Sequence, residues 1–175
     1  MKSKILITGP PKCGKSTLIS ELLKYFFNKN YTIHGFLTPE LRKEGKRVGF
    51  DIEDIHSRKR GKLARIVNYN SDYKLGKYCV FLEELEEMIS NLEIIDIKNI
   101  DLLVIDEIGK MELYSRKFHD YLKRIFISEV TILATIGLKL KHPIKNFLLN
   151  LSNIKVFNLN QQNFQNTYHE VISKL

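Results

Sequence analysis

Cysteine, proline and glycine are scarce in this chain of 175 residues, which contains two, four and nine of them. Two cysteines cannot form a disulfide framework or a cysteine-rich metal cage. The few prolines and glycines, with 43% hydrophobic residues, exclude a disordered, collagen-like or low-complexity chain. Apolar runs reach about five residues, and crossing a bilayer takes roughly 18 to 20. We expect a cytoplasmic protein with a single domain over 1–175, no signal peptide and no membrane partner.

The charge of the chain is moderately positive and unevenly distributed. Lys and Arg number 28 and Asp and Glu number 20, which gives a formal net charge of +8 and suggests polyanionic partners. Residues 40–62 hold eight basic and five acidic side chains, whereas residues 83–101 hold seven acidic and one basic. The sequence has no sustained basic stripe with interleaved aromatic residues. Nucleic acid is therefore an alternative partner that the sequence does not favour, and no oligomeric state is predicted.

Hydrophobic periodicity predicts alternating strands and helices. The predicted strands are 4–8, 32–37, 101–106, 130–135 and 154–158. The first predicted helix starts at 15 and ends near 28 to 30, and the others lie near 82–92, 115–126, after 143 and at the C terminus. Residues 46–68 alternate on both sides of a turn-like stretch, which predicts a small antiparallel hairpin. The pattern indicates an α/β fold, with a mostly parallel sheet, helices on both faces and the hairpin as an insertion.

The segment G-P-P-K-C-G-K-S-T, residues 9–17, fits the phosphate-loop pattern G-x-x-x-x-G-K-[ST] between the first strand and the first helix. Its glycines let backbone N–H groups converge on phosphate oxygens at the N-terminus of the helix. Lys15 is predicted to be catalytic by bridging the β- and γ-phosphates, Ser16 to ligate Mg²⁺ and Thr17 to reach the α-phosphate. Cys13 occupies a variable position of the loop and is interpreted as a packing residue rather than as a redox nucleophile. The predicted nucleotide-binding residues here are Gly9, Pro10, Pro11, Lys12, Cys13, Gly14, Lys15, Ser16 and Thr17.

A second motif, D-L-L-V-I-D-E-I-G, covers residues 101–109. Ligands of open α/β sheets bind at the carboxyl ends of the strands, where this motif places two acids. We expect Asp106 to hold Mg²⁺ together with Ser16, and Glu107 to be the catalytic residue that orients and deprotonates the attacking water. Thr135 ends the following strand and is expected on the phosphate side. Candidates for stabilising charge on the γ-phosphate are Arg42, Arg47, Lys110 and Arg116.

The octapeptide D-E-I-G-K-M-E-L at 106–113 gives the chain a specific resemblance. The chain resembles the small P-loop nucleoside-triphosphatases of archaea and thermophilic bacteria, whose human relative is called cancer-related nucleoside-triphosphatase. G-F-L-T-P-E-L-R at 35–42, G-K-R-V-G-F-D-I at 45–52 and G-K-Y-C-V at 76–80 extend the resemblance over nearly the whole chain. The family often has a second glycine and an apolar residue where this chain has Lys12 and Cys13, so Lys12 adds a charge near the phosphates.

The resemblance implies a P-loop fold and slow, Mg²⁺-dependent hydrolysis of ATP, GTP, CTP and UTP to diphosphate and phosphate. It also implies nucleotide contacts from a second stretch of the chain, whose residues are Leu103, Val104, Ile105, Asp106, Glu107, Ile108, Gly109 and Lys110. Asp106 and Glu107 are the expected site residues there, because the apolar residues before them are typical of a buried strand. Arg42 and Arg47 lie in motifs that match the family and gain weight as phosphate-binding groups.

Two other functions stay open. A nucleotide or nucleoside kinase uses the same loop but passes the phosphoryl group to an acceptor under an arginine-rich lid. The hairpin at 46–68 is a candidate lid, and its arginines are Arg47, Arg58, Arg60 and Arg65. The net charge also motivates a nucleic-acid-associated switch with slow hydrolysis. The sequence contains no guanine-reading N-K-x-D motif and predicts no base preference.

Overall fold

The computed structural model describes residues 2–66 and 71–175. In this part of the chain the strands are β1 Lys4–Thr8, β2 Ile33–Leu37, β3 Glu40–Lys43, β4 Lys46–Asp54, β5 Arg60–Arg65, β6 Tyr73–Leu75, β7 Tyr78–Val80, β8 Leu102–Ile108, β9 Ile132–Ile136 and β10 Ile154–Asn158. The α-helices are α1 Lys15–Asn28, α2 Glu83–Glu93, α3 Arg116–Ile127, α4 Pro143–Leu149 and α5 Phe164–Lys174. Short 3₁₀ turns cover Ile97–Asn99 and Glu112–Tyr114.

All strands of the described residues belong to one sheet, in the order β10–β1–β9–β8–β2–β4–β5–β7–β6, with β3 paired to β4. The five strands from β10 to β2 are parallel. Every residue of β1 and β9 is buried, as expected for strands covered on both faces. β9 lies between β1, which precedes the phosphate loop, and β8, which carries the acidic motif. Because the three strands are parallel, their carboxyl ends lie at the same edge of the sheet.

Helices cover both faces of the parallel part, and the core is divided accordingly. On one face α1 and α5 pack over Ile5, Ile7 and Val104. On the other face α2, α3 and α4 pack over Leu6 and Ile105. The alternation of neighbouring residues between two cores follows from the two-residue period of a strand. The predicted α/β class, with a mostly parallel sheet and helices on both faces, is confirmed. No helix of the described residues is both long and apolar enough to cross a membrane.

The antiparallel part is larger than the single predicted hairpin. β4 and β5 form that hairpin, and β3, β6 and β7 extend it on either side. The three additional strands are three or four residues long, too short for a two-residue period to be recognised in sequence. β5 ends at Arg65, and residues 67 and 68 of the predicted hairpin lie outside the described part of the chain.

Lys4 is a fully buried lysine that joins the start of β1 to the end of α3. Its ammonium donates to the carbonyl oxygens of Ser128 at 2.8 Å and Ile125 at 3.5 Å, and also to that of Val130. Ile125 O also accepts from the amide and the hydroxyl of Ser128, whereas Ser128 and Val130 follow the end of α3. Burial lowers the pKa of Lys4 from 10.5 to about 8, against the opposing charge of Glu129. The lysine therefore satisfies a helix end inside the protein.

Replacing Lys4 with methionine should destabilise the fold by about 1–3 kcal/mol, because buried carbonyl oxygens lose their donor. In a chain of this size, the midpoint of thermal unfolding would fall by about 2 to 12 °C. Between pH 8 and 10.5 only the unfolded chain keeps the proton on Lys4, so the stability that this lysine contributes rises with pH. The deficit of the variant should therefore be larger at pH 9.5 than at pH 7.5 in urea unfolding. Lys2→Met, at an exposed position nearby, is the control; equal stability of the two variants would contradict the prediction.

Candidate nucleotide site

Residues 9–14 form a tight loop between β1 and α1. Gly14 stands immediately before α1 with φ of +104°, a left-handed conformation that glycine adopts without strain. Its carbonyl oxygen accepts the first helical hydrogen bond, from Leu18 N at 2.8 Å. Inside the loop, Cys13 N donates to Pro10 O at 3.3 Å. The loop thus leads directly into the amino end of α1, where unpaired amides and the helix dipole favour an anion.

The loop is packed against the connection between β10 and α5. A side chain at Gly9 would collide with the carbonyl oxygen of Leu159 and would lie 2.6 Å from Cys13 Sγ. The ring of Phe164 lies 3.5 Å from the position that a Cβ of Gly14 would take. Cys13 is itself buried, which agrees with its interpretation as a packing residue. Packing therefore requires glycine at position 9, and the positive φ favours glycine at position 14.

Lys15 lies over this loop. Its ammonium donates to Gly9 O at 3.2 Å and to Pro10 O at 3.4 Å, so it is held among the backbone atoms of the loop. Ser16 and Thr17 follow in the first turn of α1 with exposed side chains. Pro10, Pro11 and Lys12 are also exposed. The predicted phosphate-binding residues 9–17 thus lie in the loop and in the first turn of α1.

Asp106 lies buried at the carboxyl end of β8 and reaches the phosphate loop. Its carboxylate accepts a hydrogen bond from Thr135 Oγ1 at 2.5 Å and another from the hydroxyl of Ser16. Burial raises the pKa of Asp106, while these two hydrogen bonds and the charge of Lys15 act in the opposite direction. Thr135 comes from β9, the strand between β1 and β8. Three elements therefore converge on one carboxylate.

Glu107 is the next residue and is only partly buried. Burial raises the pKa of its carboxyl, the neighbouring charge of Asp106 raises it further, and Lys15 opposes both. The register of β8 against β9 shifts between Ile105 and Ile108, so Glu107 lies where regular pairing is interrupted. A carboxyl whose pKa is shifted towards neutral pH is a more effective proton acceptor than an ordinary glutamate.

The apolar residues of the second predicted stretch contribute to the core. Leu103, Val104, Ile105 and Ile108 have no exposed surface, so their part in the site is to position the two acids that they flank. Gly109 is buried and Lys110 is exposed.

Each of the predicted arginine candidates is paired with an acid that was not predicted as a site residue. Glu40 binds Arg42 at 2.6 Å and Arg47 at 2.7 Å. Arg47 also donates to the hydroxyl of Tyr78 at 3.0 Å. Arg116 is almost fully exposed and lies 3.8 Å from Asp120 in α3. The ion pairs of Arg42, Arg47 and Arg116 are therefore made with acids other than Asp106 and Glu107.

Glu112 is a buried acid beside the site that the sequence did not single out. It begins the 3₁₀ turn after β8 and is 5% exposed. Burial raises the pKa of its carboxyl to about 8, and the charges of Glu107 and Asp106 add to the effect. In the sequence, this residue looks like a solvated acid between apolar neighbours, and no local pattern indicates its burial.

Comparison with known proteins decides the family. The sequence model of a family described as NTPase matches residues 4–172, which is nearly the whole chain. The chain belongs to this NTPase family. "Nucleoside-triphosphatase THEP1" of Thermotoga sp. strain RQ2 is 42% identical to this NTPase over 173 residues, covering 98% of this chain and 95% of the relative.

Two solved structures resemble the NTPase along its length. The crystal structure of THEP1 from the hyperthermophile Aquifex aeolicus matches with a TM-score of 0.84 and 29% identity, covering 97% of both chains. The solution structure of a human cancer-related nucleoside triphosphatase matches with a TM-score of 0.76 and 30% identity, covering 98% of this chain and 96% of the other. The resemblance stated from the sequence, the fold class and the prediction of a nucleoside-triphosphatase are confirmed.

P-loop NTPases normally use a divalent metal ion, and the oxygen donors of this NTPase fit one. The Ser16 hydroxyl and the Asp106 carboxylate are in hydrogen-bond contact and face the phosphate loop. Hard cations that bind phosphates typically take one or two protein oxygens and complete their coordination with phosphate oxygens and water. Ser16 and Asp106 are the residues that would hold the ion.

Proposed function

We propose that this NTPase hydrolyses nucleoside triphosphates to diphosphate and phosphate with Mg²⁺, and that Glu107 activates the attacking water. One observation carries the proposal: the Asp106 carboxylate reaches from β8 to the Ser16 hydroxyl of the phosphate loop, with Glu107 directly beside it. A metal-binding pair and a candidate base therefore stand together at the loop that would hold the phosphates. We also propose that residues 1–175 act as one domain, which the single sheet supports. The cytoplasmic location stays a prediction from the sequence.

Each group has a separate part in the proposed reaction. The amides of residues 12–14 and the amino end of α1 bind the phosphate oxygens, and Lys15 moves from the carbonyl oxygens of the loop to the β- and γ-phosphates. Magnesium, when bound, neutralises charge on the β- and γ-phosphate oxygens. Glu107 accepts a proton from the attacking water as its oxygen bonds to the γ-phosphorus. The bond from the γ-phosphorus to the bridging oxygen breaks, and the diphosphate leaves with that oxygen.

The proposed base preference is broad and includes ATP, GTP, CTP and UTP. The groups assigned to the phosphates are backbone amides and Lys15. Ser16 and Asp106 are assigned to the metal ion, and no group is assigned to a base. The guanine-reading motif N-K-x-D is absent from the sequence. Selection among nucleotides would therefore come from weaker contacts than the phosphate contacts that the four triphosphates share.

The kinase hypothesis receives no support from the predicted lid. Arg58 and Arg60 bind Glu53 at 3.3 and 2.6 Å. Arg65 pairs with Asp51. These arginines join neighbouring strands or a strand to its turn, so they hold the antiparallel sheet together.

Phosphate release from each of the four triphosphates, without any acceptor, tests the proposal. We expect slow release from all four with Mg²⁺ and at least a 100-fold loss in excess EDTA, since charge stabilisation of this kind typically contributes that much. Adding RNA or DNA at physiological salt should leave the rate unchanged. Binding without release, followed by transfer to an added nucleoside or nucleotide, would replace the hydrolase by a kinase.

A further inference from the structure

Glu112 is a buried acid to which the reaction proposed above assigns no part. Its side chain is almost completely removed from solvent, close to Asp106 and Glu107. In the part of the chain that is described, the groups acting on its carboxyl are two other acids and two backbone amides, and no cation is among them. Burying a carboxyl without a cationic partner is unfavourable unless hydrogen bonds compensate. The hydrogen bonds that the Glu112 carboxyl accepts must therefore compensate for its burial.

The backbone of Glu112 is firmly attached to the rest of the protein. Its carbonyl oxygen accepts a hydrogen bond from Ser115 N at 3.0 Å. Ser115 begins α3, is fully buried and donates through Oγ to Glu86 Oε1 of α2 at 2.7 Å. Tyr114 donates through its hydroxyl to Lys74 O of β6 at 2.8 Å. The 3₁₀ turn is thus tied to α2, α3 and β6, and it provides a rigid base for the Glu112 side chain.

From this base the side chain reaches back towards the end of β8. The amides of Gly109 and of Glu112 itself donate to the Glu112 carboxyl. Around Gly109 the packing is close, because Glu112 Oε2 and Glu107 Oε1 lie 2.6 and 3.1 Å from the position that a Cβ would occupy there. The two carboxyl groups therefore approach the same small residue. The amide of Gly109 binds the carboxyl of Glu112 and not that of Glu107.

We propose that Glu112 is a positioning residue for hydrolysis: its carboxyl binds the Gly109 amide and so fixes the segment that carries Glu107. This inference rests on the proposed role of Glu107 as the base. The pairing of β8 with β9 is irregular between Ile105 and Ile108, so the strand ladder alone constrains Glu107 weakly. Glu112 supplies the missing constraint from the anchored 3₁₀ turn. Holding a base in its productive geometry is a large part of catalysis, and displacement by about 1 Å costs on the order of 100-fold in rate.

The charge state of Glu112 suits this part. With its pKa raised to about 8 by burial, the carboxyl is mostly neutral at pH 7. A neutral carboxyl accepts the Gly109 amide without repelling a charged Glu107. Glutamine has nearly the same shape, no charge and an equivalent oxygen acceptor. It is therefore the conservative replacement, whereas leucine keeps the volume and removes the acceptor.

The test compares Glu112→Leu with Glu112→Gln in ATP hydrolysis with Mg²⁺. We expect kcat of the leucine variant to fall by about 10- to 100-fold, and kcat of the glutamine variant to stay within about threefold. KM and the affinity for a fluorescent ATP analogue should change little in both, because the phosphate loop is untouched. Thermal unfolding measured alongside shows which variants are folded. If the leucine variant does not fold, Glu112→Asp replaces it; its carboxyl is one methylene too short and should show the same loss.

Three results would overturn the inference. The first is a folded leucine or aspartate variant with unchanged kcat. The second is an equal loss of kcat in the glutamine variant, which would assign the effect to the ionisable carboxyl and not to positioning. The third comes from the double variant Glu107→Gln/Glu112→Leu. Because Glu112 acts through Glu107, this variant should be no slower than Glu107→Gln alone, and additive losses would show an independent effect. Normal kcat in Glu107→Gln itself would instead overturn the base assignment.

Discussion

Replacing Glu107 with glutamine should lower kcat for nucleotide hydrolysis by about 100- to 10,000-fold, the usual contribution of a positioned general base. The amide has the same size as the carboxyl but cannot accept a proton from water. Burial and the charge of Asp106 raise the pKa of Glu107, so the carboxylate is a stronger base than usual. Its loss should therefore lower kcat by the full contribution of a general base. Nucleotide affinity should change little, because the phosphate loop and Lys15 remain.

Single-turnover phosphate release and equilibrium binding of a fluorescent ATP analogue separate these two effects. Glu170→Gln is the matched control, because it makes the same substitution at an exposed position of α5. It should leave both quantities unchanged. A Glu107→Gln protein that releases phosphate at a near-normal rate would remove Glu107 from its assigned role.

Replacing Lys15 with alanine should reduce kcat/KM by about 1,000-fold or more, because it removes a charged donor from both the bound nucleotide and the transition state. The ammonium already lies among the loop carbonyls of Gly9 and Pro10, so its reach to phosphates needs only a short movement of a flexible side chain. In contrast to Glu107→Gln, this variant should also bind nucleotide much more weakly. The two losses together mark Lys15 as a phosphate ligand.

Lys24→Ala provides the control for this substitution. Lys24 lies on the same helix, is 70% exposed and forms a surface ion pair with Glu21 at 2.8 Å. Such a pair contributes little to stability, and its removal should leave hydrolysis and binding intact. Normal affinity in Lys15→Ala, measured by the same fluorescence titration, would contradict the phosphate contact.

The predictable part of the fold is the part with strong local periodicity. β1 occupies the predicted residues 4–8, and α1 ends at Asn28, within the predicted range of 28 to 30. The strands β3, β6 and β7 were missed because three or four residues, several of them charged, show no clear alternation. Their strand conformation depends on hydrogen bonding to the neighbouring strands of the sheet. Pairing of that kind is a tertiary effect that a local pattern does not show.

The residues of the candidate site also divide into those that a local pattern predicts and those that it does not. The phosphate loop and Asp106 could be predicted because each is a compact motif beside a recognisable strand, and Thr135 followed from its position at a strand end. Glu112 could not, since its burial depends on packing among α2, α3 and β6 that no window of sequence reveals. The contact between Gly9 and Leu159 joins positions 150 residues apart and was equally hidden. The motifs thus indicate the chemistry, and the fold determines which other groups support it.

The place of β9 between β1 and β8 bears on how the protein is made. A ribosome synthesises β1 and β8 before β9, so both motifs emerge from the exit tunnel while the strand that separates them in the finished sheet is still missing. Pairing of β1 directly with β8 would be a trap, because β9 must later occupy that gap. Thr135 arrives with β9 and binds Asp106. A nascent chain that ends before β9 therefore carries both signature motifs but lacks the Thr135 hydroxyl that binds Asp106.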